Sequence, residues 1–328
     1  MPRIGMNPAR GQKTDYHPAR ITLAMLTYLP DQTGYFAQRF DVTRLSLESL
    51  IAHTPQPYDL IVFDNGSYAP LVDYLRDLRD AGRITHLILS SRNIGKIGAL
   101  QIIFRATLGE IVAYTDDDVF FLPGWLDAHL KILEAFPKVG MVTGFYMRPL
   151  MAYAIASTLK FSERPDVKAE RGKFLPREME QHYIDSMGRD WEKYEKESRG
   201  LEDVLVIYGG AQAFVSAGHH QFVAPRQVIL DALPSAWSGE LMGQMRAMDE
   251  AVDQLGYLRL CTREPATRLL GNAVSPEMAE MARACGLAAK MAEVRQLSSL
   301  LTRFYRLPSV QWLARRLYNW LFAILNAK

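Results

Sequence analysis

The sequence predicts an α/β protein with a mostly parallel central sheet, flanked by helices and followed by a helical C-terminal extension. Three observations support this. Apolar runs alternate with segments of helical periodicity, polar clusters follow the apolar runs, and the pattern from residue 276 onward is helical throughout. Strands that alternate with helices at this spacing form βαβ units, which place parallel strands side by side.

Four apolar runs are predicted strands, and the segments between them are predicted helices. The strands are 21–29, 58–63, 84–89 and 110–115, and the helices are 42–53, 71–80 and 97–107. Residues 1–20 alternate proline, glycine and charge, which predicts a mobile N-terminal arm.

The second half of the chain has a different pattern. Alternating charge over 160–203 predicts exposed helices, and the apolar run 204–216, which contains Gly209-Gly210, predicts one strand. Residues 240–255 are a predicted helix. Trp125 is interpreted as a core residue, whereas Trp191 and Trp237 are candidates for stacking on an acceptor.

Composition narrows the classes of function. The 328 residues, 48% hydrophobic and 23% charged, suit one large globular domain or two small ones. A net charge of +2 argues against a nucleic-acid partner bound by bulk electrostatics. Two cysteines, no secretory pattern at the N-terminus and no apolar run of about 20 residues predict a cytoplasmic location.

Polar residues lie at the C-terminal end of each of the four predicted strands: Thr27-Tyr28, Asp64-Asn65, Arg92-Asn93 and Asp116-Asp117-Asp118. Open α/β sheets bind ligands beyond the C-terminal ends of their strands, so we expect these clusters to converge. Three adjacent carboxylates repel one another and favour a compensating cation. Mg²⁺ or Mn²⁺ holding a diphosphate fits such oxygen ligands, and a solvated turn or helix start is the alternative.

The ordered set ITLAMLTYLP, YDLIVFDNGS, SRNIGKIGALQ and AYTDDDVFFLPGWL, with a later acidic pair, resembles the family 2 glycosyltransferases of the GT-A fold. The resemblance covers residues 21–145 well and 204–275 loosely. It implies a GT-A domain at 21–275, with a nucleotide-binding half at 21–145 and an acceptor half at 146–275, followed by the helical extension 276–328. It also implies sugar transfer from a nucleotide diphosphate sugar to an acceptor hydroxyl, by single displacement with inversion, using Mg²⁺ or Mn²⁺.

The resemblance assigns donor contacts to the polar strand ends. Thr27 and Tyr28 are expected to cradle the nucleobase, Asp64 to hydrogen-bond it, and Arg92 to contact the nucleotide. Asp116 is expected toward the ribose and Asp118 toward the metal, with both as metal ligands and Asp117 serving either role. Asn93 and Lys96 are further nucleotide candidates, since lysine in a glycine-flanked turn suits phosphate. For Asp64 the alternative is closure of a turn with Asn65 and Gly66.

In this family the catalytic base lies in a Glu-Asp pair at a helix start. The corresponding pair is reversed here, so Glu250 is the predicted base and Asp249 its neighbour; two exposed acids on an amphipathic helix are the alternative. Leucine occupies the place of a family histidine before Gly271-Asn272, and Arg268 is a substitute contact for phosphate. His219 and His220 are interpreted as loop or acceptor-side residues.

The basic, aromatic segment 295–328 is compatible with contact to the inner face of an anionic membrane, or with packing on the domain or on a second copy. The acceptor stays open between a glycan, a lipid-linked molecule and a small molecule. Two alternative functions remain. One is a nucleotidyltransferase that makes an activated sugar, disfavoured because no glycine-rich phosphate loop follows the first strand; the other is a non-catalytic binding or scaffold protein.

Overall fold

The computed structural model describes residues 5–237 and 239–289, together with Val310, Leu313, Arg316, Leu317, Trp320 and Ile324. The chain divides into a unit of Met1–Lys290 and a unit of Met291–Lys328. In the second unit the six described positions are helical. The remaining residues of the predicted membrane-contact segment lie outside the described residues. All the site residues predicted from the sequence lie in the first unit.

Ten strands of the described chain form one mixed sheet, in the order β3-β2-β1-β4-β10-β6-β11-β9-β8-β7. They are β1 (Ile21–Thr27), β2 (Asp59–Asp64), β3 (His86–Leu89), β4 (Ile111–Asp116), β6 (Val139–Thr143), β7 (Lys168–Gly172), β8 (Asp203–Tyr208), β9 (Ala211–Val215), β10 (Gln221–Pro225) and β11 (Leu258–Thr262). A separate two-stranded sheet joins β5 (Val119–Phe121) to β12 (Thr267–Leu269).

Helices connect most of these strands. They are α1 (Arg39–Ala52), α2 (Ala69–Asp80), α3 (Lys96–Ala106), α4 (Trp125–Ala135), α5 (Ala156–Ser162), α6 (Arg177–Ser186), α7 (Trp191–Ser198), α8 (Arg226–Ala232), α9 (Met245–Gln254) and α10 (Pro276–Ala284). Two short 3₁₀ segments, Gly34–Phe36 and Arg148–Ala152, lie after β1 and β6.

The central strands are covered on both faces, as their continuous apolar runs predict. Leu23 and Met25 of β1 belong to one core cluster, with residues of α1, α2 and α4, whereas Ala24 and Leu26 belong to another, with residues of α3, α8 and α9. Strands β3, β2, β1 and β4 pair in parallel. The predicted α/β class, with a large central sheet and flanking helices, is therefore confirmed.

The later half of the sheet differs from the sequence prediction in two places. The single strand predicted over 204–216 is wrong, because the chain reverses at Gly209-Gly210, both with left-handed φ, and forms the antiparallel pair β8 and β9. The prediction of helices throughout 160–203 is confirmed for α6 and α7 and wrong at β7. That strand lies at the edge of the sheet and is largely exposed. Its residues are therefore mostly charged and lack the apolar pattern by which a strand is predicted from sequence.

Candidate active site

The polar strand ends meet at one edge of the sheet. In the parallel registers of β1, Thr27 lies opposite Asp64 of β2, and Leu26 lies opposite Asp116 of β4. Adjacent strands are about 4.8 Å apart, and β1 lies between β2 and β4. The strand ends that carry Asp64 and Asp116 are therefore about 10 Å apart. The convergence expected from the sequence is thus present in the fold.

Asp64 is buried and closes the turn after β2. One carboxylate oxygen accepts hydrogen bonds from the backbone N–H groups of Gly66 (3.2 Å) and Ser67 (2.9 Å), and the other accepts from the Thr27 hydroxyl at 3.1 Å. The turn-closing alternative is therefore realised. The nucleobase contacts assigned to Thr27 and Asp64 stay predictions.

The loop after β3 is braced against the same turn. Asn93 Oδ1 accepts hydrogen bonds from Asn65 Nδ2 at 2.9 Å and from the Gly95 N–H at 2.8 Å. The side chain of Arg92 is exposed beside it. Trp237, a candidate for stacking on an acceptor, packs against this loop, where its indole N–H donates to the carbonyl of Ile94 at 2.9 Å.

The other two aromatic candidates are packed within the protein. Tyr28 is partly buried, with its ring edge-on to Phe36 at 6.4 Å. Trp191 donates to Gln181 at 2.7 Å and lies under the guanidinium of Arg177 at 4.1 Å. Trp125 is buried, which confirms it as a core residue.

Asp116 is paired with a lysine. Its carboxylate accepts from Lys96 Nζ and from the Tyr114 hydroxyl, both at 2.6 Å. Burial alone raises the pKa of Asp116, but the charge of Lys96, helped by Tyr114 and His219, outweighs burial and holds this pKa below its usual range. Asp116 is therefore an ionised carboxylate with a cationic partner.

Arg39 of α1 compensates the other two aspartates. It forms an ion pair with Asp117, which also accepts from the Thr43 hydroxyl at 3.0 Å, and it lies 3.1 Å from Asp118. Burial raises the pKa of Asp117 to about 6, against the opposing charge of Arg39. The cations expected to compensate the triplet thus include two from the chain itself, Lys96 and Arg39.

Sequence reasoning missed Arg39, which lies 78 residues before its partner Asp117. No local spacing indicates such a contact. Of the triplet, Asp118 has the most exposed side chain, at 33%, against 23% for Asp116 and 8% for Asp117.

The two acids of the Asp249-Glu250 pair lie on different faces of α9. Glu250 is partly exposed and pairs with Arg246, one turn earlier, at 2.8 Å. Asp249 is fully buried and accepts from His219 Nδ1 (2.8 Å) and from the Tyr153 hydroxyl (3.0 Å). The structure therefore brings Asp249 into a polar cluster and leaves Glu250 outside it, so the assignment of Glu250 as the base stays a prediction.

Arg259 completes the cluster around Asp249. Its guanidinium lies 2.9 Å from the second carboxylate oxygen, donates to the carbonyl of Ala154 at 2.7 Å, and also donates to the carbonyl of Ala217. Both charged side chains have no solvent exposure. One signal for Arg259 was present in the sequence, because a charged residue interrupts the apolar run LRLCT.

A cavity of about 200 Å³ lies beyond the ends of β6 and β11. Its walls include Phe145, Tyr146, Phe214, Thr262, Arg263 and Arg268. The Thr262 hydroxyl is buried and has no hydrogen-bond partner among the described residues. Burial lowers the pKa of Arg268, whose guanidinium donates to the carbonyl of Thr267 at 3.2 Å. The cavity thus combines aromatic walls with Arg268 and with Arg263, which lies 3.7 Å from Glu264 in the same lining.

Strand β12 connects this cavity to the aspartates. Arg268 pairs with Phe120 in the small sheet, and the N–H of Leu270 donates to the carbonyl of Asp118 at 2.8 Å. Leu270, at the position where the family has histidine, is buried. Among the described residues no three His, Cys, Asp or Glu side chains are grouped to hold a metal ion. The same part of the chain has no helix with the length and apolar character needed to span a bilayer.

Comparisons with known proteins give one family match, to less than half of the chain. Residues 36–188 match the model of glycosyl transferase family 2. No curated protein matches the chain.

Solved structures are similar at low identity. One is the mannosyltransferase PcManGT from Pyrobaculum calidifontis in complex with GDP-Man and Mn²⁺, at 23% identity over 43% of this chain and 40% of that chain, with a TM-score of 0.32. Another is S. aureus TarS 1-349 in complex with UDP-GlcNAc, at 11% identity over 76% of this chain and 58% of that chain, with a TM-score of 0.42. A third is GalNAc-T7 with UDP, GalNAc and Mn²⁺, at 12% identity over 78% of this chain and 45% of that chain, with a TM-score of 0.46. This chain therefore spans less than two thirds of each of these proteins.

Proposed function

We propose that this chain, in which residues 36–188 match the model of glycosyl transferase family 2, transfers a sugar from a nucleotide diphosphate sugar to an acceptor hydroxyl. The observation that carries the proposal is the shared edge of the sheet. Donor-side residues follow β1, β2 and β4, the aromatic cavity follows β6, and β10 lies between β4 and β6. One molecule on each side would meet at the start of β10.

The donor is proposed to lie across the ends of β1, β2 and β4. Lys96, 12% exposed and already paired with a carboxylate, is positioned to exchange this partner for the donor diphosphate. The exposed Arg92 supplies a second cation on the nucleotide side. Asp64, Thr27 and Tyr28 line the nucleobase end, and Asn93 holds the loop that carries Arg92 in place.

The metal requirement is proposed on Asp118. Mg²⁺ and Mn²⁺ bind through one or two carboxylates together with phosphate oxygens, and a carboxylate one-third exposed at a strand end suits that role. Asp116 would join it only after Lys96 has turned to the phosphate. An ion held there would supply positive charge that stabilises the departing diphosphate.

The transfer is proposed to be a single displacement with inversion. The acceptor oxygen attacks the anomeric carbon while the bond to the diphosphate breaks on the opposite face, and a base takes the hydroxyl proton. Arg92 and Lys96 retain the nucleoside diphosphate as its charge develops. The buried pairs made by Arg39 keep the strand end rigid during this step.

The acceptor is proposed to enter the aromatic cavity. Its class stays open between a glycan, a lipid-linked molecule and a small molecule. Aromatic walls pack against sugar faces, and the guanidinium group of Arg268 favours an acceptor that carries a phosphate or carboxylate.

A combined binding and product assay tests this function. Thermal unfolding is followed with UDP-GlcNAc, UDP-GalNAc and GDP-mannose, with and without MnCl₂, since a ligand at 100 times its Kd stabilises the native state by about 2.7 kcal/mol. Metal-dependent stabilisation by one donor, lost in Asp118→Ala and kept in the surface control Asp73→Ala, is expected. In the product assay, release of nucleoside diphosphate is expected with at least one member of an acceptor panel.

The alternatives give different products. Pyrophosphate release from a nucleoside triphosphate and a sugar phosphate would identify a nucleotidyltransferase. Donor binding without turnover across the acceptor panel would identify a binding protein. Indifference to every nucleotide would overturn the proposal.

A further inference from the structure

His219 occupies the position between the two halves of the site. It lies in the loop before β10, the strand that pairs with β4 on one side and with β6 on the other. The backbone N–H of Asp116 donates to the carbonyl of the neighbouring His220 at 2.8 Å, which fixes this loop against the end of β4. The side chain of His219 is 32% exposed. It is therefore accessible where a donor and an acceptor would meet.

The partner of His219 sets its tautomer. An ionised carboxylate only accepts hydrogen bonds, so the 2.8 Å contact with Asp249 places a proton on Nδ1. In the neutral imidazole, Nε2 then carries a lone pair and accepts protons. The described residues give Nε2 no hydrogen-bond partner, so it is free to meet a ligand.

Asp249 is held in place by buried groups. Arg259 balances its charge, and the Tyr153 hydroxyl donates to the same oxygen that His219 contacts. Because a buried ion pair is costly unless its groups are well paired, this cluster needs a reason beyond stability. Orientation of a functional imidazole supplies one.

The backbone around this cluster is strained. Four non-glycine residues in the described chain have a left-handed φ, and three of them border the cluster. Ala154 (φ 52°) gives its carbonyl to Arg259, Ser216 (φ 95°) precedes Ala217, which does the same, and Gln244 (φ 58°) precedes the helix that carries Asp249. Strain of this kind concentrates at functional sites, where surrounding contacts maintain it.

We infer that His219 is the catalytic base of the proposed transfer and that Asp249 is its positioning residue, an assignment that rests on the proposed function. Nε2 takes the proton of the acceptor hydroxyl as its oxygen bonds to the anomeric carbon and the anomeric carbon–diphosphate bond breaks. The bonding electrons leave with the nucleoside diphosphate. The proton stays on the imidazole, where Asp249 stabilises the cation, until it passes to solvent.

The test compares kcat and donor affinity in His219→Gln, Asp249→Asn and Glu250→Gln. The probe is whichever of UDP-GlcNAc, UDP-GalNAc and GDP-mannose the wild type turns over, with water as the acceptor if none of the panel reacts. The matched control is His86→Gln. His86 is exposed and is the first residue of β3, at the end of the strand away from the candidate site. We expect His219→Gln to lower kcat by about 10²- to 10⁴-fold with donor Kd unchanged. Asp249→Asn should also lower kcat at unchanged donor Kd, and both His219→Gln and Asp249→Asn should lower kcat more than Glu250→Gln does.

A second measurement separates catalysis from structure. Added imidazole should restore at least part of kcat to His219→Ala, since the residue is partly exposed, and should not restore Asp249→Asn. Retention of kcat in His219→Gln, with loss in Asp249→Asn or Glu250→Gln, overturns the assignment by making a carboxylate the direct base. A loss in His219→Gln that comes with weakened donor binding and no imidazole rescue also overturns it, by making His219 structural. Absence of turnover by the wild type overturns the proposed function itself, and the assignment with it.

Discussion

Arg39 compensates the negative charge of two residues of the aspartate triplet. Its guanidinium is 10% exposed and contacts Asp117, Asp118 and the carbonyl of Gly271. It holds the start of α1, the turn after β4 and the segment after β12 together, so one side chain links three parts of the candidate site. The pair is also selective, because it fully engages Asp117 and leaves Asp118 partly accessible.

Removing Arg39 should therefore destabilise the fold, by an amount that depends on whether Asp117 keeps its charge. Arg39→Gln leaves a buried carboxylate unpaired, and we expect it to lower the free energy of unfolding by about 3 kcal/mol at pH 7.5. Arg39→Gln with Asp117→Asn should lose less than the sum of the single changes, with a coupling energy of about 1–3 kcal/mol. Denaturant unfolding measures each value. The control is Arg76→Gln, which removes an exposed ion pair with Asp73 on α2.

The same variant should respond to pH in a defined direction. With Arg39 present the pKa of Asp117 is about 6, and without Arg39 it rises above that value, so between these two pKa values only the variant takes up a proton on folding. The deficit of Arg39→Gln relative to wild type should therefore shrink as the pH falls from 7.5 to about 6 and stay constant at lower pH. Additive single and double changes with no pH trend would show that Asp117 does not depend on Arg39.

At the scale of elements, the sequence predicts best where each strand is buried on both faces. The runs at β1, β2 and β4 are continuous and apolar, so their location needs no knowledge of distant partners. Strands β5, β6, β10, β11 and β12 were not predicted, because they have three to five residues and form through pairing with distant segments.

The same limit applies to site residues. The spacing of a helix shows that positions 249 and 250 point in different directions, but packing against His219 and Arg259 decides that Asp249 is the buried one. The residues that local turns position, Asp64 and Asn93, were candidates from the sequence. Those that distant segments bring in, Arg39 and Tyr153, were not.

The turn after β2 should tolerate no side chain at Gly66. Its φ is +86°, and an added Cβ would lie 2.6 Å from the carbonyl carbon of Arg92, so an alanine is both strained and obstructed. Gly82 is a matched control, with φ +72° and no atom within 4 Å of the added Cβ. We expect Gly82→Ala to cost about 1 kcal/mol of unfolding free energy, and Gly66→Ala at least about 1 kcal/mol more.

Donor binding gives the second readout for this turn. Because Gly66 brings the Asp64 turn against the Arg92 loop, Gly66→Ala should also reduce the donor-induced rise in Tm, whereas Gly82→Ala should not. Equal losses of stability in the two variants, with donor binding intact in both, would show that the close approach of these loops has no role.

At the scale of the whole molecule, the chain has two units with different surfaces. The unit of residues 1–290 contains the sheet, the cavity and every catalytic candidate. In the unit of residues 291–328, the described side chains of Leu313, Leu317, Trp320 and Ile324 are each more than half exposed. Their spacing of three or four residues places them on one helical face. This face agrees with the membrane contact expected from the sequence, and both the contact and a cytoplasmic location stay predictions.

A chain that ends at residue 290 should separate the two roles. We expect it to keep the thermal stability of the catalytic unit and the donor-induced rise in Tm, because the contacts that form the site lie within residues 1–290. The full chain should sediment with vesicles containing anionic lipid, more strongly at low than at high salt, since each basic residue near the surface contributes about 1 kcal/mol. The shortened chain should stay in the supernatant.

In the full chain, Leu317→Asp should weaken sedimentation without changing donor binding, whereas Asp73→Ala should change neither. Sedimentation velocity distinguishes the alternative, because dimerisation of the full chain, lost on shortening and without vesicle binding, would assign the apolar face to self-association instead.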